Sequence, residues 1–115
     1  MADLSTVYTF YTNRDAHAAF LHRVQAAVVK AALDVRNEQE PDPMTEAFRA
    51  RQRWAIEALA SPTYKASAML PGLAVKANDA GLISEAGEIS ATDAQIRTTV
   101  AALVDEYSDY VPAAA

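Results

Sequence analysis

The chain has 115 residues, a formal net charge of −5 and no cysteine. That length suits one domain, residues 1–115, and the missing thiols exclude disulfide frameworks, thiolate metal sites and cysteine nucleophiles. Half of the residues are hydrophobic (51%), yet aromatics make up only 8%. Alanine supplies much of the remainder, so the core is expected to be thin and built from helices that approach closely through small side chains.

Residues 1–12 form an N-terminal arm. The run Thr6-Val7-Tyr8-Thr9-Phe10-Tyr11-Thr12 is β-branched or aromatic throughout, which favours a strand. Leu4, Val7, Tyr8 and Tyr11 also share one helical face. No partner strand is evident elsewhere, so a short helix is preferred. A strand here would need a partner on another chain.

Residues 14–37 carry the clearest helical pattern. Asn13 can cap the first turn. Phe20, Val24, Ala27, Val28, Ala31 and Val35 make an apolar stripe, widened by Leu21 and Ala32. Apolar residues cover more than half of the circumference, so part of this helix is expected to stay open as an interaction surface. Asn37 can end it, and a loop follows through Pro43. Asp42 is the expected cap of the next helix, with Pro43 at its first position, where the missing N–H costs nothing. That helix runs to about Ala60 and places Trp54 in the core. Ser61-Pro62 repeats the cap-plus-proline signal.

The next segment runs to about Lys76. Pro71 removes a backbone hydrogen bond and clashes with the preceding turn, costing about 3 kcal/mol inside a helix. With Gly72 beside it, a break or sharp kink is expected at residues 70–72. Asn78 and Gly81 mark the segment's end, and residues 79–91 read as a loop with one helical turn. Thr92-Asp93-Ala94-Gln95 is a capping box. It opens a last helix with Ile96, Val100, Leu103, Val104 and Tyr107 on one face. Pro112 prevents residues 108–115 from continuing as a regular helix, which leaves a C-terminal tail. The expectation is an all-α fold, a small bundle of four to five helices with a Pro71-Gly72 break and extended or frayed ends.

Chemistry-bearing constellations are sparse. His17 and His22 lie five apart on one helix and do not share a face, whereas zinc-binding pairs use a spacing of four. Glu38, Glu40 and Asp42 lack the glycine and closing glutamate of a calcium loop. No serine sits in a nucleophile elbow, and three glycines are too few for a phosphate loop. No catalytic residue, metal site, cofactor or small-molecule substrate is expected, and the chain is not expected to be an enzyme. No apolar run approaches a membrane span, and the N-terminus lacks the pattern of a signal peptide.

The charge is uneven: eight acids face seven bases in residues 1–60, and seven face three in residues 61–115. Arg49, Arg51 and Arg53 precede Trp54. On a helix, 49 and 53 share a face and 51 points away. A solvated face or intramolecular pairing is the first reading of these arginines and a protein interface the second; an acidic chain repels phosphate backbones, which puts nucleic acid last. Aromatic and arginine anchors are what specific interfaces favour. The expected contact residues are therefore Val7, Tyr8, Phe10 and Tyr11 near the start, Arg49 and Arg53, and Tyr107, Tyr110 and Val111 near the end.

The pattern as a whole resembles a group of small, mostly helical, largely uncharacterised proteins of tailed bacteriophages. The likeness covers roughly residues 14–107. It rests on Ala26-Ala27-Val28-Val29-Lys30-Ala31-Ala32, Arg36-Asn37-Glu38, Arg51-Gln52-Arg53-Trp54-Ala55 and Ser61-Pro62. It continues through residues 68–70 and Ala74-Val75-Lys76-Ala77-Asn78 to Thr92-Asp93-Ala94-Gln95-Ile96, Val100 and Val104. The resemblance implies a virion structural protein, made in the bacterial host cytoplasm and assembled with other virion proteins and copies of itself. A neck or head–tail connector subunit comes first, then an accessory capsid or tail protein. The alternative is a nonstructural binding module, an assembly chaperone or a regulator of a host protein.

Overall fold

The computed structural model describes residues 5–38 and 45–107. Five helices follow one another among them: α1 (Ser5–Thr12), α2 (Arg14–Arg36), α3 (Glu46–Ala60), α4 (Pro62–Asp79) and α5 (Asp93–Tyr107). The fold is all-α. At 1.5 Å per residue α2 is about 35 Å long, and it forms the spine, packing against each of the other four helices. Its wide apolar stripe is therefore covered. Phe20, Val24, Ala27, Val28, Ala31, Ala32 and Val35 are all buried, while Leu21, Val29 and Leu33 at the margin stay half-buried, so the apolar face is covered along the stripe and open only at its edge.

The local signals act as their chemistry dictates. Asn13 caps α2, its side-chain oxygen accepting from the Ala16 N–H at 3.1 Å. At α5 the capping box closes both ways. Gln95 N–H donates to Thr92 Oγ1 at 3.1 Å, and Thr92 N–H donates to Gln95 Oε1 at 2.8 Å. Helix α3 starts later than the Asp42-Pro43 signal suggests. Thr45 is its N-cap and accepts from Phe48 N–H, while Asp42 and Pro43 lie outside the described residues. Ser61 sits at the N-cap of α4 and Pro62 at its first turn, but the serine side chain makes no capping bond.

Pro71 does not divide the fourth segment. Helix α4 runs from Pro62 to Asp79 with Pro71 inside it. Met69, Leu70, Leu73 and Ala74 bury on both sides of the proline, and each large apolar side chain removed from water contributes about 1.5–3 kcal/mol. That gain outweighs the lost bond. Pro71 and Ser67 both lie on the exposed side, where water can reach the unpaired carbonyl.

The end of α4 is closed by a Schellman motif. Gly81 takes φ +72, Leu82 N–H donates to Ala77 O at 2.9 Å, and Gly81 N–H to Asn78 O at 3.0 Å. The following stretch is a hairpin-like turn in place of the expected helical turn. Ile83 and Ile89 form an antiparallel bridge. Ser84 N–H donates to Glu88 O and Gly87 N–H to Ser84 O, each at 2.9 Å. Ile83 buries beneath it.

The turn locks onto α1. A Cβ at Gly87 would lie 2.7 Å from the backbone of Thr9 and Phe10, and φ there is +85. Only glycine fits. Asn13 adds a bond from its side-chain amide to Ala86 O at 2.9 Å, and Thr6 donates to Asn78. The arm at residues 5–12 is thus a packed helix, not an added strand. The core is thin, as composition implies: buried Ala27, Ala31, Ala32, Ala50, Ala55, Ala58, Ala66, Ala74 and Ala77 separate a few large residues, chiefly Trp54, Phe10 and Met69.

Candidate interaction surface

With the core closed by alanines, the informative side chains are the large apolar ones left outside. Tyr8 (72% exposed), Tyr11 (42%), Ile56 (63%), Tyr64 (68%) and Val75 (44%) stand on three helices. On α1 the phase differs from the pattern Leu4, Val7, Tyr8 and Tyr11. Phe10 takes the buried position at 0% exposure, and Val7 packs against the core. Phe10, expected as a contact residue, is therefore a core residue: Phe20 meets it edge-on at 5.7 Å. Tyr8 and Tyr11 remain outside. Tyr11 lies edge-on to Phe10 at 5.2 Å, and the His17 ring packs beside both, 5.4 Å from Phe10 and 5.8 Å from Tyr11. His17 thus forms part of an aromatic rim, and His22 is exposed.

The arginines separate as the helix geometry requires. Arg51 leaves the 49/53 face and chelates Glu38, which tethers the start of α3 to the end of α2. Arg53 reaches Glu46 at 3.3 Å. Arg49 is exposed and makes no ion pair among the described residues. Arg49, Arg53, Ile56 and Ala60 fall at spacings of four, three and four, and all are exposed. They make one outer stripe on α3, mixed in charge and apolar character. Trp54 points the other way and is buried, its indole N–H without an acceptor among the described residues.

Tyr107 closes α5, but its side chain lies outside the described residues, as do Tyr110 and Val111. Glu40 and Asp42 are also outside. Other charged residues serve the scaffold: Arg23 clamps the α5 start, bonding Asp93 at 2.8 Å and Ala91 O at 2.7 Å. Lys65 reaches Glu57 at 2.7 Å across the α3–α4 joint.

One cleft of about 340 Å³ opens between α2, α4 and α5. Phe20, Leu73, Leu82 and Ile96 line its apolar wall, with Lys76, Gln95 and Thr99 at the polar side. Gln95 and Thr99 are already engaged, with the Thr92 N–H and the Gln95 carbonyl respectively. Among the described residues no group of three His, Asp or Glu could hold a metal ion, and no helix is long and apolar enough to cross a membrane.

No family model matches the chain, and no curated protein or solved structure matches it either.

Proposed function

We propose that this chain is a structural subunit of a tailed-phage particle, held by contacts between helix faces and by its terminal arms. The observation that carries the assembly reading is the set of large apolar residues left outside a core that is otherwise closed. A monomer that ends its interactions at its own surface gains nothing from Ile56 in water, and Tyr8 and Tyr64 also stand largely outside. Grouped with arginine, such residues are the anchors of specific interfaces. The particle itself is supported by the resemblance across residues 14–107. A neck or head–tail connector position is preferred, with accessory capsid or tail protein next, and the partners are other virion proteins and further copies of this chain.

The contact regions are Tyr8 and Tyr11 on α1, the Arg49, Arg53 and Ile56 stripe on α3, and residues 107–115. The reading assigns no catalytic step, cofactor or small-molecule substrate, and the acidic balance argues against direct nucleic-acid contact. It is tested by replacing Tyr8 and Ile56 with serine, separately and together, and by ending the chain at residue 107. Each variant is expected to keep wild-type helicity and to enter particles at a reduced level when it competes with the wild type. Normal incorporation of all of them would refute the assigned surfaces. A chain missing from finished particles would leave an assembly chaperone or a regulator of a host protein.

A further inference from the structure

The outer face of α4 has an arrangement that its own fold does not use. Ala66, Met69, Leu70, Leu73, Ala74 and Ala77 bury toward the core. On the opposite side Tyr64, Ala68, Pro71 and Val75 are all exposed. Their spacing of four, three and four keeps them in a single seam, as in paired helices. No charged residue occurs from 66 to 75, although 22% of the chain is charged. A helix face that only meets water is ordinarily charged or polar.

The seam is also symmetric about its midpoint between residues 69 and 70. Tyr64 and Val75 lie equally far from that point, as do Ala68 and Pro71, and Ser67 and Gly72 beside them. Large residues stand at the ends and small ones in the middle. Two copies laid antiparallel would place each Tyr64 against the other copy's Val75. The small central residues would let the helices approach closely. The ends match in charge as well. Asp79 continues the seam one turn past Val75, is exposed, and makes no ion pair among the described residues. The same symmetry brings it to residues 60–61 of the other copy. There the α4 N-terminus has a Ser61 whose side chain makes no capping bond. Free N–H groups and the positive end of the helix dipole attract a carboxylate.

We propose that a second copy of this chain covers the α4 seam, two α4 helices pairing antiparallel across a two-fold axis, with Asp79 of each copy at the start of the other's α4. This deepens the assembly reading, on which it rests, by naming one partner, and its test in dilute solution is separate from particle incorporation. The seam from 64 to 75 is about 17 Å long. One helix crossing of that length falls at the small end of specific interfaces, so the dimer is weak, with a Kd on the order of 10–100 μM.

Sedimentation equilibrium of the full chain tests the pairing across concentrations of about 5–500 μM, spanning that Kd. The wild type should pass from monomer to dimer. Ala68→Glu and Val75→Glu, both at exposed positions, should each weaken the dimer at least tenfold while helicity and Tm stay unchanged. Asp79→Asn should weaken it roughly two- to fivefold. Since the chain lacks cysteine, Tyr64→Cys and Val75→Cys, both on the seam itself, report orientation directly. A mixture of the two should cross-link 64 to 75 faster than 64 to 64 or 75 to 75. A wild type that stays monomeric would overturn the pairing and leave the seam to a different partner. So would a dimer indifferent to both glutamates, or like-to-like cross-links that form as fast as the mixed one.

Discussion

Replacing Gly87 with alanine tests how the turn at residues 84–89 is fixed to α1. Two costs add. The residue sits at φ +85, and an L side chain in the left-handed region costs about 1–2 kcal/mol. The added Cβ would also stand 2.7 Å from Phe10 N and Thr9 C and 2.8 Å from Thr9 O. These are backbone atoms of a packed helix, so relief requires α1 or the turn to move. Overpacking of this kind costs about 1–3 kcal/mol. The sum is about 2–5 kcal/mol, a large part of the roughly 6–17 kcal/mol expected for a chain of this size. Gly81→Ala supplies the control. Its φ is +72, but nothing lies within 4 Å of the added carbon, so only the conformational cost of about 1–2 kcal/mol remains. Urea unfolding followed by circular dichroism gives both values, and their difference isolates the clash. Equal losses in the two variants, or a Gly87→Ala loss below about 0.5 kcal/mol, the ordinary range of surface changes, would refute the close approach.

Other substitutions separate further contributions by the same assay. Trp54→Phe removes the indole N–H that has no acceptor among the described residues, a relief of about 1–3 kcal/mol that offsets part of the lost packing. It should cost under about 1.5 kcal/mol, whereas Trp54→Ala should cost about 3–5 kcal/mol. Pro71→Ala restores a donor to the interior of α4 at an exposed position. It should raise stability by about 1 kcal/mol or more, and a fall in Tm would contradict the account of that helix. Asn13→Ala loses both the α2 cap and the bond to Ala86 O, for a cost of about 1–2 kcal/mol. Arg23→Met keeps the apolar stem but loses Asp93 and Ala91 O. Its half-exposed ion pair limits the cost to about 1 kcal/mol.

What could be read in the sequence was what is decided locally. Asn13 and the Thr92–Gln95 box cap helices through hydrogen bonds spanning three residues, so the residue types alone announce them. The long stripe of α2 fixed its buried face for the same reason. Where two local signals compete, the outcome depends on the rest of the fold. Thr45 stands three residues after Asp42, and α3 starts from the threonine. In α1, eight residues are nearly all apolar or β-branched, so periodicity could not choose between Phe10 and the Tyr8–Tyr11 face; contact with Phe20 and Gly87 chose. Pro71 shows tertiary burial overriding a local penalty. The candidate surface was legible in its aromatic and arginine residues, Tyr8, Tyr11, Arg49 and Arg53. The α4 seam was not, because a helix apolar on most sides reveals its outer face only once its neighbours are in place; nor was Ile56, which is left outside because Trp54, Ala55 and Ala58 take the buried face of α3.

The central claim, that this chain is a part of an assembled particle, is tested most directly by quantitative mass spectrometry of purified particles formed by the encoding genome, scaled to the portal protein. The account predicts a fixed copy number. A ring-like ratio would put the chain at the neck or tail, and a capsid-wide ratio would make it an accessory capsid protein. Its absence from purified particles, with abundant protein in the infected cell, would contradict the claim.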